Sequence, residues 1–241
     1  MGTVLPSGTR KMAVERLRDY GWLALTPTAF SDAILSHGVL HAFKKGEWVY
    51  HLDAEPDGLW GIADGGVEIE STRSDRAPSL LLFASSGFWA GYGSVVAGST
   101  RFIGMRATRP TLMMHVSRSA FAAIEAKQPD VWRWVALLIT SHLEGTIGLV
   151  EDTRILNSRD RVVSVLLRMC NTSWTVGYRD SDRAVTIDLS QDGLARLCSV
   201  SRSLLAVILA PLRSEGVIDL SYGRIHVPKP AALRAALTGE S

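Results

Sequence analysis

Residues 190–212, SQDGLARLCSVSRSLLAVILAPL, space their apolar side chains for two short helices joined by a tight turn. Leu194, Leu197 and Cys198 turn one face of a first helix inward, and Leu205, Ile208, Leu209 and Leu212 do the same for a second. Val200 fills the corner, and Ala195 is small where the helices would cross. Ser190 and Ser201 stand where an N-cap hydroxyl takes up a free amide hydrogen. The pattern predicts a helix-turn-helix, with an ordinary helical hairpin in a globular core as the alternative. A second helix that enters a DNA major groove would lead with Ser201, Arg202 and Ser203. Arg202 is the base-reading candidate, because a guanidinium offers two parallel donors to O6 and N7 of guanine, whereas serines suit phosphate or sugar. Downstream, residues 217–227 (VIDLSYGRIHV) alternate apolar and polar side chains around Tyr222-Gly223, which predicts a two-stranded hairpin placed as a wing.

The rest of the composition sets bounds. A chain of 241 residues can bury two modest cores, and a 46% hydrophobic content argues against disorder. With a net charge of +2 there is no global basic field, so any DNA contact must come from a local arrangement. From Arg159 onward 11 Lys and Arg face 8 Asp and Glu, against 15 and 16 before it, so the weak basic excess lies in the C-terminal part. Cys170 and Cys198 sit in apolar helical patterns, as packed reduced thiols would. The six histidines lack the close spacing or cysteine company of a zinc site, and no metal, cofactor or catalytic constellation is predicted. A cupin-like enzyme would need clustered His and carboxylate, so an enzyme is not expected. The N-terminus carries no continuous apolar core of a signal peptide, and no run of about 18 apolar residues occurs, which predicts a cytoplasmic protein without a membrane partner.

Outward from the opening stretch the chain changes character twice. Residues 12–35 carry two short helical patterns that read as a lead-in. From Val39 to Val116, short apolar and β-branched runs alternate with turns such as Lys45-Gly46, Pro56-Asp57-Gly58 and Asp64-Gly65-Gly66, predicting a compact β-barrel or double sheet able to hold a ligand. Helical patterning then returns in 117–128 and in a long helix after Pro129. Along it Val131, Val135, Leu138, His142, Gly145 and Leu149 are spaced alternately four and three apart, a heptad row expected to pair with a second copy; packing on the barrel is the alternative. A hinge is expected at 153–158, then a further amphipathic helix to Cys170, a polar loop, and a strand at VTIDL. The last stretch is at most a short helix.

This order resembles the Crp/Fnr family of bacterial transcription regulators over nearly the whole chain. Residues 43–70 (FKKGEWVYHLDAEPDGLWGIADGGVEIE) are similar to its opening strands, and 87–107 (GFWAGYGSVVAGSTRFIGMRA) to its phosphate-binding segment. SRDRVVSVLLRMC at 158–170 and the segment 187–220 resemble its DNA-binding domain. The resemblance implies an α+β fold with an N-terminal cupin-like double-stranded β-helix (β-roll) and helical lead-in in 1–128, a long dimerisation helix and hinge in 129–157, and a C-terminal winged helix-turn-helix in 158–241. It implies a homodimeric, sequence-specific regulator bound to double-stranded DNA, with RNA polymerase as a candidate further partner and an unidentified small-molecule effector. Arg202 would read bases, Gln191, Ser201 and Ser203 would position the backbone, and Arg224 in the wing would touch flanking phosphate. A ligand-sensing or adaptor protein that does not bind DNA is the competing expectation.

Departures from the family pattern are specific. Cyclic-nucleotide-binding members hold the ribose with Gly-Glu and the cyclic phosphate with an arginine followed by a small residue. Here Gly91 and Arg101 keep their places, but Tyr92 stands for the glutamate and Phe102 follows the arginine. A tyrosine cannot supply an acceptor carboxylate, and Phe102 would crowd a phosphate. Gly91, Tyr92, Arg101, Phe102 and Thr146, the last beside the place of a base-contacting hydroxyl, form the candidate effector pocket, predicted not to take cyclic AMP in the usual way. An anion role and a surface ion pair both stay open for Arg101. No cysteine precedes Cys170, unlike members that hold an iron–sulfur cluster. In the recognition helix Ser203 and Val207 replace a glutamate and a second arginine, leaving Val207 to a thymine methyl or to helix packing. Ser199 replaces the usual turn glycine, so a looser turn is expected, and Pro211 is expected to bend or end the helix.

Overall fold

The computed structural model describes residues 7–71, 79–170 and 184–238. Two compact units emerge, one built on the chain up to His142 and one on the chain from Leu143. The polar loop expected before the VTIDL strand falls mostly on 171–183, outside the described residues.

The first unit opens with α1 (Ser7–Asp19), a 3-10 turn (Trp22–Leu25) and α2 (Thr28–His37). Strands β1 (Val39–Phe43), β2 (Trp48–Tyr50), β3 (Gly58–Asp64), β4 (Gly66–Ser71), β5 (Ser79–Ser85) and β6 (Trp89–Ala90) follow. Then come α3 (Tyr92–Val96), β7 (Gly104–Ala107), β8 (Thr111–Ser117) and α4 (Arg118–Glu125). The strands form two four-stranded antiparallel sheets, ordered β1-β8-β3-β6 and β2-β7-β4-β5, as the alternating runs and glycine turns predict. In β3 the alternation of the pleat separates two cores. Trp60 and Ile62 join Val67, Ile69, Met105 and Met113 between the sheets, whereas Leu59 and Ala63 join Met114 and Val116 under the helices. A strand covered on both faces is continuously apolar, which explains LWGIA. The lead-in helices belong to the second of these cores through Trp22, Phe30 and Ile34, and the Trp22 indole N–H donates to the Trp134 carbonyl at 2.7 Å.

Helix α5 (Val131–Arg154) closes this unit and corrects one expectation. Val131, Val135 and Leu138 of the predicted pairing row are buried in the unit's own core. The neighbouring row, with Leu143, Ile147 and Val150, is the one exposed to solvent.

The second unit comprises the end of α5, α6 (Ser158–Cys170), β9 (Val185–Ile187), α7 (Gln191–Leu197), α8 (Arg202–Ser214), β10 (Asp219–Ser221), β11 (Arg224–Val227) and α9 (Pro230–Thr238). Val162, Leu166, Ile187, Leu194, Leu205, Leu209 and Ile225 are buried in it. Asp152, itself buried near the end of α5, accepts from Ser164 Oγ and Arg168 Nε, each at 2.6 Å, and so pins α5 to α6. β9 adds a third strand to the predicted hairpin, pairing Ile187 with Ile225 in the order β10-β11-β9. Pro211 does not end α8, which runs on to Ser214. Its fixed φ is helical, and the residue is exposed, so water can serve the carbonyl that its missing N–H leaves free.

Candidate functional site

Helices α7 and α8 meet at 108°, within the range of a helix-turn-helix. Both predicted caps form: Ser190 Oγ accepts from the Gly193 amide at 3.1 Å and Ser201 Oγ from the Leu204 amide at 3.2 Å. The turn between them is tight, contrary to expectation. Ser199 takes the left-handed conformation at φ 52°, and the Val200 amide donates to the Ala195 carbonyl at 3.0 Å. Serine tolerates this at a cost of about 1 kcal/mol relative to glycine. Arg161 supports the same corner, donating from Nε to the Cys198 carbonyl at 2.9 Å and from Nη1 to the Ile155 carbonyl at 2.6 Å.

The outer face of α8 presents Arg202, Ser203, Ala206, Val207 and Ala210. Val207 is 68% exposed, which removes helix packing as its role. Arg202 forms an ion pair with Asp192 of α7, both side chains being nearly two-thirds exposed. Ser203 Oγ lies 3.1 Å from Ser201 Oγ. Gln191 is half-buried in the first turn of α7 beside Asp192, so Gln191, Ser201, Arg202 and Ser203 gather at the start of the two helices. On the three-stranded sheet, Tyr222 at the hairpin tip is fully exposed, and Arg224 Nε donates to Asp188 Oδ1 at 2.8 Å. The buried Cys170 and Cys198 thiols are pushed up to about 12 by desolvation, which keeps them protonated and unreactive.

In the first unit, Gly91, Tyr92, Arg101 and Phe102 do line one cavity, of about 370 Å³ counting the part that opens to solvent. Tyr50, Phe88 and His142 supply further rings. Gly91 is left-handed at φ 92°, and a Cβ there would lie 2.6 Å from Arg101 Nη1. Arg101 is not the surface ion pair considered from sequence. It is 4% exposed, pairs with the Asp57 carboxylate, donates to the Gly58 carbonyl at 2.8 Å and stacks over the Tyr50 ring at 4.3 Å. Asp57 also accepts from Trp60 Nε1 at 3.2 Å, and His115 Nε2 stands 3.7 Å from its Oδ2. Burial lowers the pKa of His115, so it leaves Asp57 to the arginine. His142 stacks on Phe88 with ring centroids 4.6 Å apart, and burial lowers its pKa to about 4. Phe102 is 59% exposed at the rim. Thr146 belongs to the other unit, exposed on α5, and is not among the lining residues.

Sequence reasoning missed Asp57, Tyr50 and His142. The acidic turn Pro56-Asp57-Gly58 and the polar interruption of the α5 apolar row by His142 were the available signals. Among the described residues no group of three or more His, Cys, Asp or Glu gathers for a metal ion, and no single helix is long and apolar enough to cross a membrane.

Residues 40–128 match the model of the cyclic nucleotide-binding domain, and residues 160–236 that of the Crp-like helix-turn-helix domain. The chain belongs to the Crp/Fnr family. One Crp/Fnr relative, the cAMP-activated global transcriptional regulator CRP of Pasteurella multocida, is 20% identical over 194 residues, spanning 80% of this chain and 91% of its own. A putative cyclic nucleotide binding protein from Ruegeria pomeroyi has a TM-score of 0.67 at 17% identity, covering 95% of this chain and 98% of that one. FixK2 of Bradyrhizobium japonicum also scores 0.67, at 16% identity, with coverage of 82% and 96%. At such identities the structural likeness speaks for the fold alone. Like the Crp/Fnr family at large, this chain is a DNA-binding transcription regulator, and the family's members are regulators and not enzymes.

Proposed function

We propose that this Crp/Fnr regulator binds its operator as a homodimer, with two copies of α8 in successive major grooves and a divergent effector pocket in the β domain. The observation that carries the proposal is the unobstructed face of α8, led by Arg202 and continued by Ser203, Ala206 and Val207. Arg202 reads guanine, Ser201, Ser203 and Gln191 fix the backbone, and Arg224 with Tyr222 touches flanking phosphate as a wing. Val207 offers a branched apolar surface to a thymine methyl, so the preferred half-site combines one guanine with A·T pairs.

Leu143, Ile147 and Val150 form the seam of the dimer. The two antiparallel sheets constitute a cupin-like β-roll, and the chain is organised as sensor 1–128, connecting helix and hinge 129–157, and winged helix 158–241, in the cytoplasm and without catalytic function. An effector that prefers one arrangement of α5 shifts the population in which both recognition helices fit the operator. Cyclic AMP is disfavoured as that effector, because its phosphate would have to displace the Asp57 carboxylate from Arg101.

The test is selection of the full chain on randomised duplex DNA at moderate salt, with and without cyclic AMP. A two-fold-symmetric enriched motif insensitive to the nucleotide is expected. An asymmetric motif sinks the homodimer, a nucleotide effect sinks the divergent pocket, and no motif in either condition sinks DNA reading.

A further inference from the structure

We propose that the β-domain cavity is a binding site for a small uncharged aromatic molecule carrying one hydrogen-bonding group. This rests on reading the β domain as an effector domain, and it goes further by naming the ligand's chemical class. Three features of the cavity lead there.

Charge comes first. Arg101 is the lining residue that is ionised at neutral pH, since burial keeps His142 neutral and raises the Tyr50 and Tyr92 pKa values. Its guanidinium is already held by Asp57 and the Gly58 carbonyl, under the Tyr50 ring and behind Gly91. An anionic ligand must therefore compete with a carboxylate built into the site, and a cationic ligand must approach an arginine. Neither charge is rewarded for losing its water.

The walls come second. Phe88 and His142 stack nearly parallel, at 13°, and Tyr92 meets His142 edge-on at 5.3 Å. With Tyr50 and Phe102 they surround the space with rings, which favour a flat π-system in offset or edge geometry. The third feature is polar. Tyr50 is 6% exposed and its hydroxyl has no hydrogen-bond partner among the described residues. A buried hydroxyl in that state is costly, and a ligand that brings one acceptor or donor removes the cost. Arg101 Nε is likewise buried and unpartnered. The space of about 370 Å³ includes the part open to solvent, so what is enclosed admits at most one small ring.

Benzamide and benzoate have nearly the same shape and differ in charge, so they decide the question when titrated by ligand-observed NMR and calorimetry into the purified full-length protein, beside cyclic AMP. Benzamide is expected to bind with a Kd of about 1 mM or tighter, and benzoate at least about tenfold more weakly. Tyr50→Phe is expected to weaken benzamide about five- to tenfold, the worth of one hydrogen bond. Gly93→Leu tests the site without touching the core. Its new Cβ would lie 3.1 Å from the Phe102 ring and 3.3 Å from the Ser99 hydroxyl, both exposed and free to give way, so the fold survives while the mouth fills and benzamide binding falls at least about tenfold. The proposal is overturned if benzoate or cyclic AMP binds more tightly than benzamide. It is equally overturned if benzamide fails to bind at about 10 mM or if a folded Gly93→Leu protein binds it unchanged. No DNA is present in these titrations. A failed operator selection thus leaves this result standing, and failure here leaves DNA reading intact.

Discussion

Two arginines in this protein make the same kind of ion pair in opposite surroundings. Arg101 is 4% exposed and meets Asp57 against a wall of carbonyl, glycine and tyrosine, whereas Arg202 and Asp192 are 65% and 63% exposed at the start of the helix-turn-helix. A buried cation depends on its partner, because polar contacts without an opposite charge do not replace lost hydration in full; an exposed pair is held loosely and gives way when a better acceptor arrives. The first arginine is held within the fold, and the second is left accessible to solvent. Two arginines that both match the family pattern therefore mean different things, and burial distinguishes them.

The largest expected effect attacks the buried pair. Asp57→Ala leaves Arg101 without its carboxylate and should lower the stability of the β domain by about 2–3 kcal/mol in urea denaturation, toward the lower end of values for buried pairs because Asp57 is partly hydrated. A loss below about 0.5 kcal/mol would mean that the two pairs are alike after all. Arg202→Ala should do the reverse, leaving the melting curve unchanged while specific operator binding weakens about ten- to a hundredfold. Binding assays at two salt concentrations, on selected and scrambled duplexes, separate lost base reading from lost phosphate attraction.

The buried imidazole of His142 makes stability depend on pH. His142 has a folded pKa of about 4, below its unfolded value of about 6.5, so between these values the unfolded chain binds the extra proton. Stability from its burial is complete above about pH 6.5 and is lost as pH falls toward 4, reaching about 1–2 kcal/mol at pH 5. His142→Phe should flatten that part of the stability profile, and an unchanged acid slope in the variant would contradict it. Val207→Ala is expected to relax base preference at one position of each half-site by about 1 kcal/mol, read out by repeating the selection. Smallest of all, Asp192→Asn should tighten binding to scrambled DNA only a few-fold, since it removes one exposed carboxylate near the phosphates and frees Arg202.

How far the sequence could be read depended on the range of the interaction. The helix-turn-helix was legible because its determinants are local: the i, i+3, i+4 spacing of Leu205, Ile208 and Leu209 and the two capping serines act within a few residues. The β domain was legible from alternation and glycine turns, but the union of Asp57 with Arg101 spans 44 positions and no periodicity reports it. The long helix misled for another reason. It carries two neighbouring rows with the same four-three spacing, and pattern alone does not say that Val131, Val135 and Leu138 serve their own domain while Leu143, Ile147 and Val150 stay exposed. At Ser199 the expectation failed because a modest backbone cost is outweighed by the hydrogen bonds that a closed turn makes.

Arg161 joins what the chain order keeps apart. Its guanidinium grips the Ile155 carbonyl in the link between α5 and α6, the Ser158 hydroxyl, and the Cys198 carbonyl at the corner before α8. One planar side chain thereby works as a strut between the α5–α6 link and the corner before α8. A displacement of the link that keeps these hydrogen bonds must carry the corner, and with it the first residues of α8. Lysine would keep the charge but has no rigid fork, so it could not hold these three acceptors in a fixed mutual arrangement.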